Sequence, residues 1–446
     1  MTQCKRIKTS FAKLNHKRVE ADFGGGRLTT DGGALLLREA DRALGLTDRL
    51  SRVTPDPRDP RRTTHPLREL LAQRIFGIAL GYEDLCDHNA LRDDPALQTA
   101  TGRDPGQEAP LGSAPTLCRL ENSVNRETLV QISELLVDIF IGSYEGEPEE
   151  LVLDFDATDD PLHGQQEGRF FHGYYDCYCY LPLYVFCQDR PLVALLRPSG
   201  IDASLYARAI LKILVRKLRE AWPEVSITMR GDSDFCRWET MRWCDNHGVD
   251  YTFGIARNSR LEAFSEELME EAERLYEATG QKVRLFGEFP YAAGTWDKQR
   301  RVVCKAERLP RGPNLRFVVT SLSGAPQTVY DEGYCARGDM ENRIKEQQLQ
   351  LFSDRTSCRT MLANQFRLLL STLAYVLVEH IRRVGLRGTE MARAEAGTIR
   401  TKLLKIGARI LSSVRRIAFR LASGYPWKRL FLLAARRLSA APAPSG

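Results

Sequence analysis

Over the first 145 residues the apolar positions recur every three or four; from about residue 150 they alternate or run together. "LRELLAQRIFGIALGYEDLCDHNALRDD" (67–94) has helical spacing broken at Gly81. "TLCRLENSVNRETLVQISELLVDIFIGSY" (116–144) reads as one long amphipathic helix, opened by a Ser113/Thr116 capping region. Pro-, Arg- and Gly-rich stretches at 54–66 and 101–115 predict loops before each. Residues 1–145 are therefore expected to be mostly helical, after a short β-like piece around "DFGGGRLTTDGG" (22–33).

Past 150 the pattern predicts strands at 151–158, 174–187 and 190–200, with a tight turn near Gln188–Arg190. A helix over 204–222, a strand over 226–235 and a helix over 237–248 complete a three-layer α/β unit. Residues 251–330 hold β segments around one helix and read as a mainly β insertion. Long helices follow, "YCARGDMENRIKEQQLQLF" (334–352) and "TMLANQFRLLLSTLAYVLVEHIRRV" (360–384), then a basic helical region from Gly397. The expected organisation is 1–145 helical, 146–250 first part of an α/β core, 251–330 insertion, 331–385 core helices, and 386–446 basic C-terminal helices.

Charge sharpens this picture. The chain has 446 residues and a net charge of +6. Residues 381–446 hold fifteen Lys or Arg against two acids, +13, which leaves the preceding 380 at −7. An acidic body with a basic tail predicts a polyanion partner. The N-terminal run "MTQCKRIKTSFAKLNHK" is basic and lacks an apolar segment, so no signal peptide is expected. The most apolar run, 366–381, is short for a membrane span and contains Arg367 and Glu379. A cytoplasmic protein with reduced thiols is expected, and Cys177-x-Cys179 has no matching Cys/His pair for zinc. The glycines of 22–33 lack a following G-K-[ST], which argues against nucleotide binding. Trp238, Trp243 and Trp296 are expected in the core.

The candidate chemistry begins at "LVLDFDATDD" (151–160). Alternation puts Asp154 and Asp156 on one face of a strand. "SITMRGDSDF" ends in the same way, with Asp232 and Asp234. Ligands sit at strand C-termini in open α/β sheets, and carboxylates gathered there call for a hard divalent cation. A third acid is available at Glu341, which shares a helix face with Tyr334 and Arg337, and Lys345 extends that face by a turn. Acid flanked by Arg and Lys suits a phosphodiester. Asp159 and Asp160 are expected to cap a loop, Asp234 to support its neighbour, and Arg230 to pair with these acids.

"DFDATDDPLHGQQEG", "RGDSDF" and "YCARGDMENRIKE…DRTSC…ANQFRLLLSTLAYVL" resemble the DDE transposases of bacterial insertion sequences, in particular insertion-sequence family thirteen-eighty of the IS-four-like superfamily. "GGALLLREAD", "QRIFGIALGYEDLCDHNALRDDP" and "PTLCRLEN" extend the likeness over nearly the whole chain. The resemblance implies an RNase H-like core with Asp156, in the context D-x-T, Asp232 and Glu341 as catalytic metal ligands. It implies two Mg²⁺ ions, for which Mn²⁺ can substitute, and an enzyme that nicks element ends and joins the freed 3′-OH to target DNA. Tyr334, Arg337, Lys345, His163 and Gln165 are the implied DNA contacts, and the helical N-terminal domain (1–145) with the basic C-terminal helices is implied to bind the terminal inverted repeats. The family's Lys beyond Glu341 is replaced here by Gln348. Double-stranded DNA, a homodimer on it, no membrane, and a bacterial, nucleoid-associated setting follow from the same likeness. A stand-alone Mg²⁺ nuclease and a non-catalytic DNA-binding relative are the alternatives.

Overall fold

The strand expected at 151–158 forms as β1 (Glu150–Ala157) and lies inside an eight-stranded sheet. The computed structural model describes residues 8–441; the first seven residues of the basic N-terminal run and the last five of the tail lie outside them. The other strands of the sheet are β2 (Leu183–Cys187), β3 (Arg190–Leu195), β4 (Ser226–Gly231), β5 (Asp250–Ile255), β6 (Val283–Tyr291), β7 (Arg300–Leu309) and β8 (Gly312–Thr320). Their order is β6-β7-β8-β5-β4-β1-β2-β3. β1, β4 and β5 are parallel neighbours, and every other pairing is antiparallel.

Alternation decides what β1 does. Leu151, Leu153 and Phe155 point into the main core cluster. There they meet the stripe Leu211, Leu214, Val215 and Leu218 of the Ala207–Ala221 helix, and Met241 and Cys244 of Trp238–His247. Asp154 and Asp156 are left on the opposite face. That face is tied to later segments: Tyr184 Oη lies 3.3 Å from Ser353 Oγ in the turn after Leu351, and Gln365 Nε2 of the Met361–His380 helix donates to Ala194 O at 3.0 Å. Trp238, Trp243 and Trp296 pack on the core, as expected.

Contacts divide the chain into two compact units. One is Leu129–Leu349 with Ser353–Thr372, and it contains the sheet. The other joins Met1–Thr128 to Gln350–Phe352 and Leu373–Gly446. In it the helices Ala34–Leu44, Leu67–Leu80 and Ala114–Glu121 share a unit with the C-terminal helix Lys428–Ala440. Gly32 N and Gly33 N donate to Ile406 O and Leu404 O at 2.9 and 3.0 Å. A Cβ on Gly33 would lie 1.9 Å from Leu403 O, so the two chain segments approach as only glycine permits.

Several expectations need correction. The helix expected over 116–144 is two, Ala114–Glu121 and Arg126–Ile141, because Asn125 Oδ1 caps Thr128 N at 2.9 Å and starts a new helix. The strand expected over 174–187 breaks at Leu181–Pro182 into Cys177–Tyr180 and β2, since proline has no N–H for a ladder. The residues read as an insertion extend the central sheet, as β8 pairs with β5. The C-terminal region is not all helical: Ala408–Ser413 and Arg416–Leu421 form an antiparallel ribbon joined to Leu28–Thr29. Ala408 and Ile410 are buried while Arg409 and Leu411 are exposed, a period of two that favours strand. The N-terminal β piece includes an exposed hairpin, Lys8–Leu14 with Lys17–Asp22. The apolar helix Met361–Gly385 is, at 25 residues, long enough to cross a membrane; 89% of its apolar window is buried in the protein.

Candidate active site

β1 and β4 lie side by side in parallel, with Arg230 in register with Asp154. The two strands therefore deliver Asp156 and Asp232 to the same end of the sheet. Asp156 is buried, and its Oδ1 accepts from Ala157 N at 2.9 Å. Burial pushes its carboxyl up to about 7; the fields of Asp232 and Glu341 act the same way, and Arg337 opposes them. Asp232 is partly exposed just past β4, and its Oδ1 takes Asp234 N at 2.9 Å, starting a short turn.

Asp154 is committed elsewhere. Arg230 grips it with two hydrogen bonds, Nε to Oδ1 and Nη2 to Oδ2 (the latter at 2.8 Å), and donates from Nη1 to Gly333 O at 2.8 Å. The arginine thus pairs with Asp154, while Asp156 bonds Arg337.

Glu341 stands in the first turn of the Gly338–Leu351 helix. Arg337, one turn before it, donates from Nη2 to Glu341 Oε1 at 2.6 Å and from Nη1 to Asp156 Oδ2 at 3.4 Å. Burial works against the guanidinium's charge, but Asp156, Glu341 and Asp232 outweigh it, and its pKa rises. Tyr334 completes the group. A Cβ on Gly254 of β5 would lie 2.6 Å from its hydroxyl, so glycine there makes room for the phenol. Burial raises the phenol's pKa, opposed by Arg337 and helped by Asp232.

The remaining expected residues are placed differently. Lys345 is exposed one turn beyond Glu341 and makes no ion pair among the described residues. His163 and Gln165 are exposed on the loop after Asp160, and no hydrogen bond ties them to the three acids. Their neighbour Gln166 instead holds the loop, donating to Thr356 O at 3.0 Å. Asp160 is not an exposed cap. It is fully buried, burial pushes its carboxyl well above the usual range, and Gln348 Nε2 donates to its Oδ1 at 3.2 Å and to Asp159 O at 3.0 Å. The Gln348–Asp160 link escaped sequence reasoning; its one signal was glutamine where the resembling family has lysine.

Among the described residues no three His, Cys, Asp or Glu side chains converge closely enough to hold a metal as they stand. The guanidinium of Arg337 sits between Asp156 and Glu341 and balances their charge. The donor types suit a hard divalent cation, since Asp156, Asp232 and Glu341 all offer carboxylate oxygens and come from three elements.

No curated protein matches the chain. Among solved structures, a cryo-EM structure of the piggyBac transposase synaptic complex with hairpin DNA aligns with 12% identity and a TM-score of 0.41, covering 85% of this chain and 80% of that one. The sequence matches the family "Transposase DDE domain group 1" over residues 11–443, nearly its full length, and the chain belongs to that family of transposases.

Proposed function

We propose that this transposase binds the terminal inverted repeats of its element, nicks the ends and joins each 3′-OH to target DNA. The observation that carries the reading is that Arg337 bonds both Asp156 and Glu341, from separate elements, with Asp232 close enough for its charge to act on Asp156. The strand order β3-β2-β1-β4-β5 supports an RNase H-like core, with residues 251–330 as an extension of it. Asp156, Asp232 and Glu341 would hold two Mg²⁺ ions, or Mn²⁺ in their place, which would supply Lewis-acid chemistry for phosphoryl transfer.

The chain's own residues prepare that chemistry. Asp156 holds a proton near neutral pH and gives it up when positive charge arrives. Arg337 then turns from the carboxylates to the scissile phosphate, and exposed Lys345 meets the backbone beside it. Tyr334, wedged at Gly254, fixes Arg337's position and borders the DNA. His163 and Gln165 face the flanking strand from their loop. In the unit built from the chain's two ends, Arg409, Arg415, Arg416 and Arg420 line the ribbon of 408–421 and grip the duplex. The protein acts as a homodimer, one copy for each end.

A cleavage assay tests this. Labelled DNA carrying the element's end is incubated with Mg²⁺ and the native protein, or with Asp156→Asn, Asp232→Asn or Glu341→Gln. The expected result is a nick at the boundary that each substitution abolishes while binding survives. Binding without cutting would make the chain a non-catalytic relative; cutting at random sites would make it a nuclease.

A further inference from the structure

Between β1 and β2 the chain leaves the central sheet and forms a small one of its own. Phe170–His172 pairs with Cys177–Tyr180, which pairs with Asp160–Pro161. Its turn, 173–176, carries two further aromatic residues, Tyr174 and Tyr175. Phe171 is 55%, Tyr178 46% and Tyr174 85% exposed.

The rings are ordered. Phe171 and Tyr178 are register partners on one face, their centroids 5.6 Å apart and edge to face. Arg169 lies over the Tyr178 ring at 4.7 Å and is held there by donating to Gly164 O at 2.7 Å. At the turn, Tyr174 meets Tyr175 edge-on at 5.0 Å, and Tyr175 packs against His172 at 4.8 Å. The first strand of this sheet, Asp160–Pro161, begins four residues after Asp156 and pairs with Cys179 and Tyr180, so the hairpin hangs from the end of β1 that carries the acid.

An exposed aromatic strip with a cation on one ring has a specific chemical use. Every base has a π-face, and unpaired bases stack on such strips without regard to sequence. Exposed apolar patches of this kind mark binding surfaces. The position next to Asp156 selects nucleic acid over protein. We propose that the 170–180 hairpin is a stacking platform for unpaired bases of the DNA strand whose phosphodiester is cut at Asp156. This rests on the transposition reading above, and adds that the flank beside the cut is held single-stranded.

The test uses the full chain without divalent ions, so that nothing is cleaved. Three probes are titrated: a paired duplex of the element's end, the same duplex with a short unpaired flank carrying 2-aminopurine, and a single-stranded oligonucleotide. The native protein is expected to prefer the unpaired flank to the paired duplex and to quench the 2-aminopurine. Phe171→Ala and Tyr174→Ala are each expected to weaken the unpaired-flank probe roughly five- to 150-fold, the effect of losing one stacked base. The paired duplex should bind as before, and Phe171→Trp should restore the quench. Tyr174, almost fully exposed, can be replaced without disturbing packing. The platform is overturned if flank preference and quenching survive both alanine variants, or if all probes weaken alike. Loss of dimer in sedimentation with DNA binding intact also overturns it, by making the strip a protein interface. If the native protein binds the single strand through these rings but not the duplex, the end-binding reading fails and the platform stands.

Discussion

Asp154 and Asp156 lie two residues apart on one strand, with opposite fates. Register explains why: Arg230 pairs across to Asp154, while two positions further on both strands end in a carboxylate. Alternation made the shared face legible in the sequence, but not which acid Arg230 would take. The alignment of D-F-D with R-G-D in parallel neighbours gives Arg230 to Asp154. Because Arg230 is buried, Arg230→Ala leaves Asp154 charged and alone, and a loss of about 3–5 kcal/mol is expected by urea unfolding. Asp156 gives a pH signature. Its folded pKa, about 7, exceeds the unfolded value of 3.8, so its contribution to stability is full below the unfolded value and is lost as pH rises through 7. In metal-free buffer the native protein should lose on the order of a few kcal/mol from pH 4 to 8 that Asp156→Asn does not lose. Equal pH profiles by thermal melting would refute the assignment. Gln348 was legible only as a departure from a motif; that it reaches back to buried Asp160 depends on tertiary packing.

Elements with a strong period were read correctly, and boundaries set by a single residue were not. The strand of 150–157 and the helix of 361–380 follow from uninterrupted patterns. Asn125 split one expected helix, and Pro182 split one expected strand. In the ribbon at 408–421 the arginines interrupt the apolar positions, so its alternation of buried Ala408 and Ile410 with exposed Arg409 and Leu411 is weak in the sequence. Arg409 and Arg420 are cross-strand partners, both exposed. Replacing both by alanine should lower DNA affinity for all sequences alike, and reduce the slope of log K against log salt by about 2. An unchanged slope in filter binding would remove the ribbon from the interface.

At the scale of the molecule, the sequence divided the chain serially, and the fold does not follow that order. Residues 1–128 and 373–446 form one unit, which no local pattern announces because the partners are hundreds of positions apart. The glycine pair at 32–33 was the available clue, and its close approach to Leu403 and Leu404 is what a nucleotide-binding reading would have misassigned. Gly33→Ala forces a Cβ onto a backbone carbonyl, and a loss of at least about 1–3 kcal/mol is expected by urea unfolding. Tolerance of that substitution would mean the two segments are not locked together.

That union of distant segments has a consequence in time. Synthesis proceeds at roughly 5–20 residues per second, so the helix at 34–44 waits on the order of 20–80 s for its partner at 428–440 to emerge. The sheet is complete much earlier. During synthesis the sheet-bearing unit is therefore whole while the unit built from the chain's two ends still lacks its helix at 428–440 and stays open.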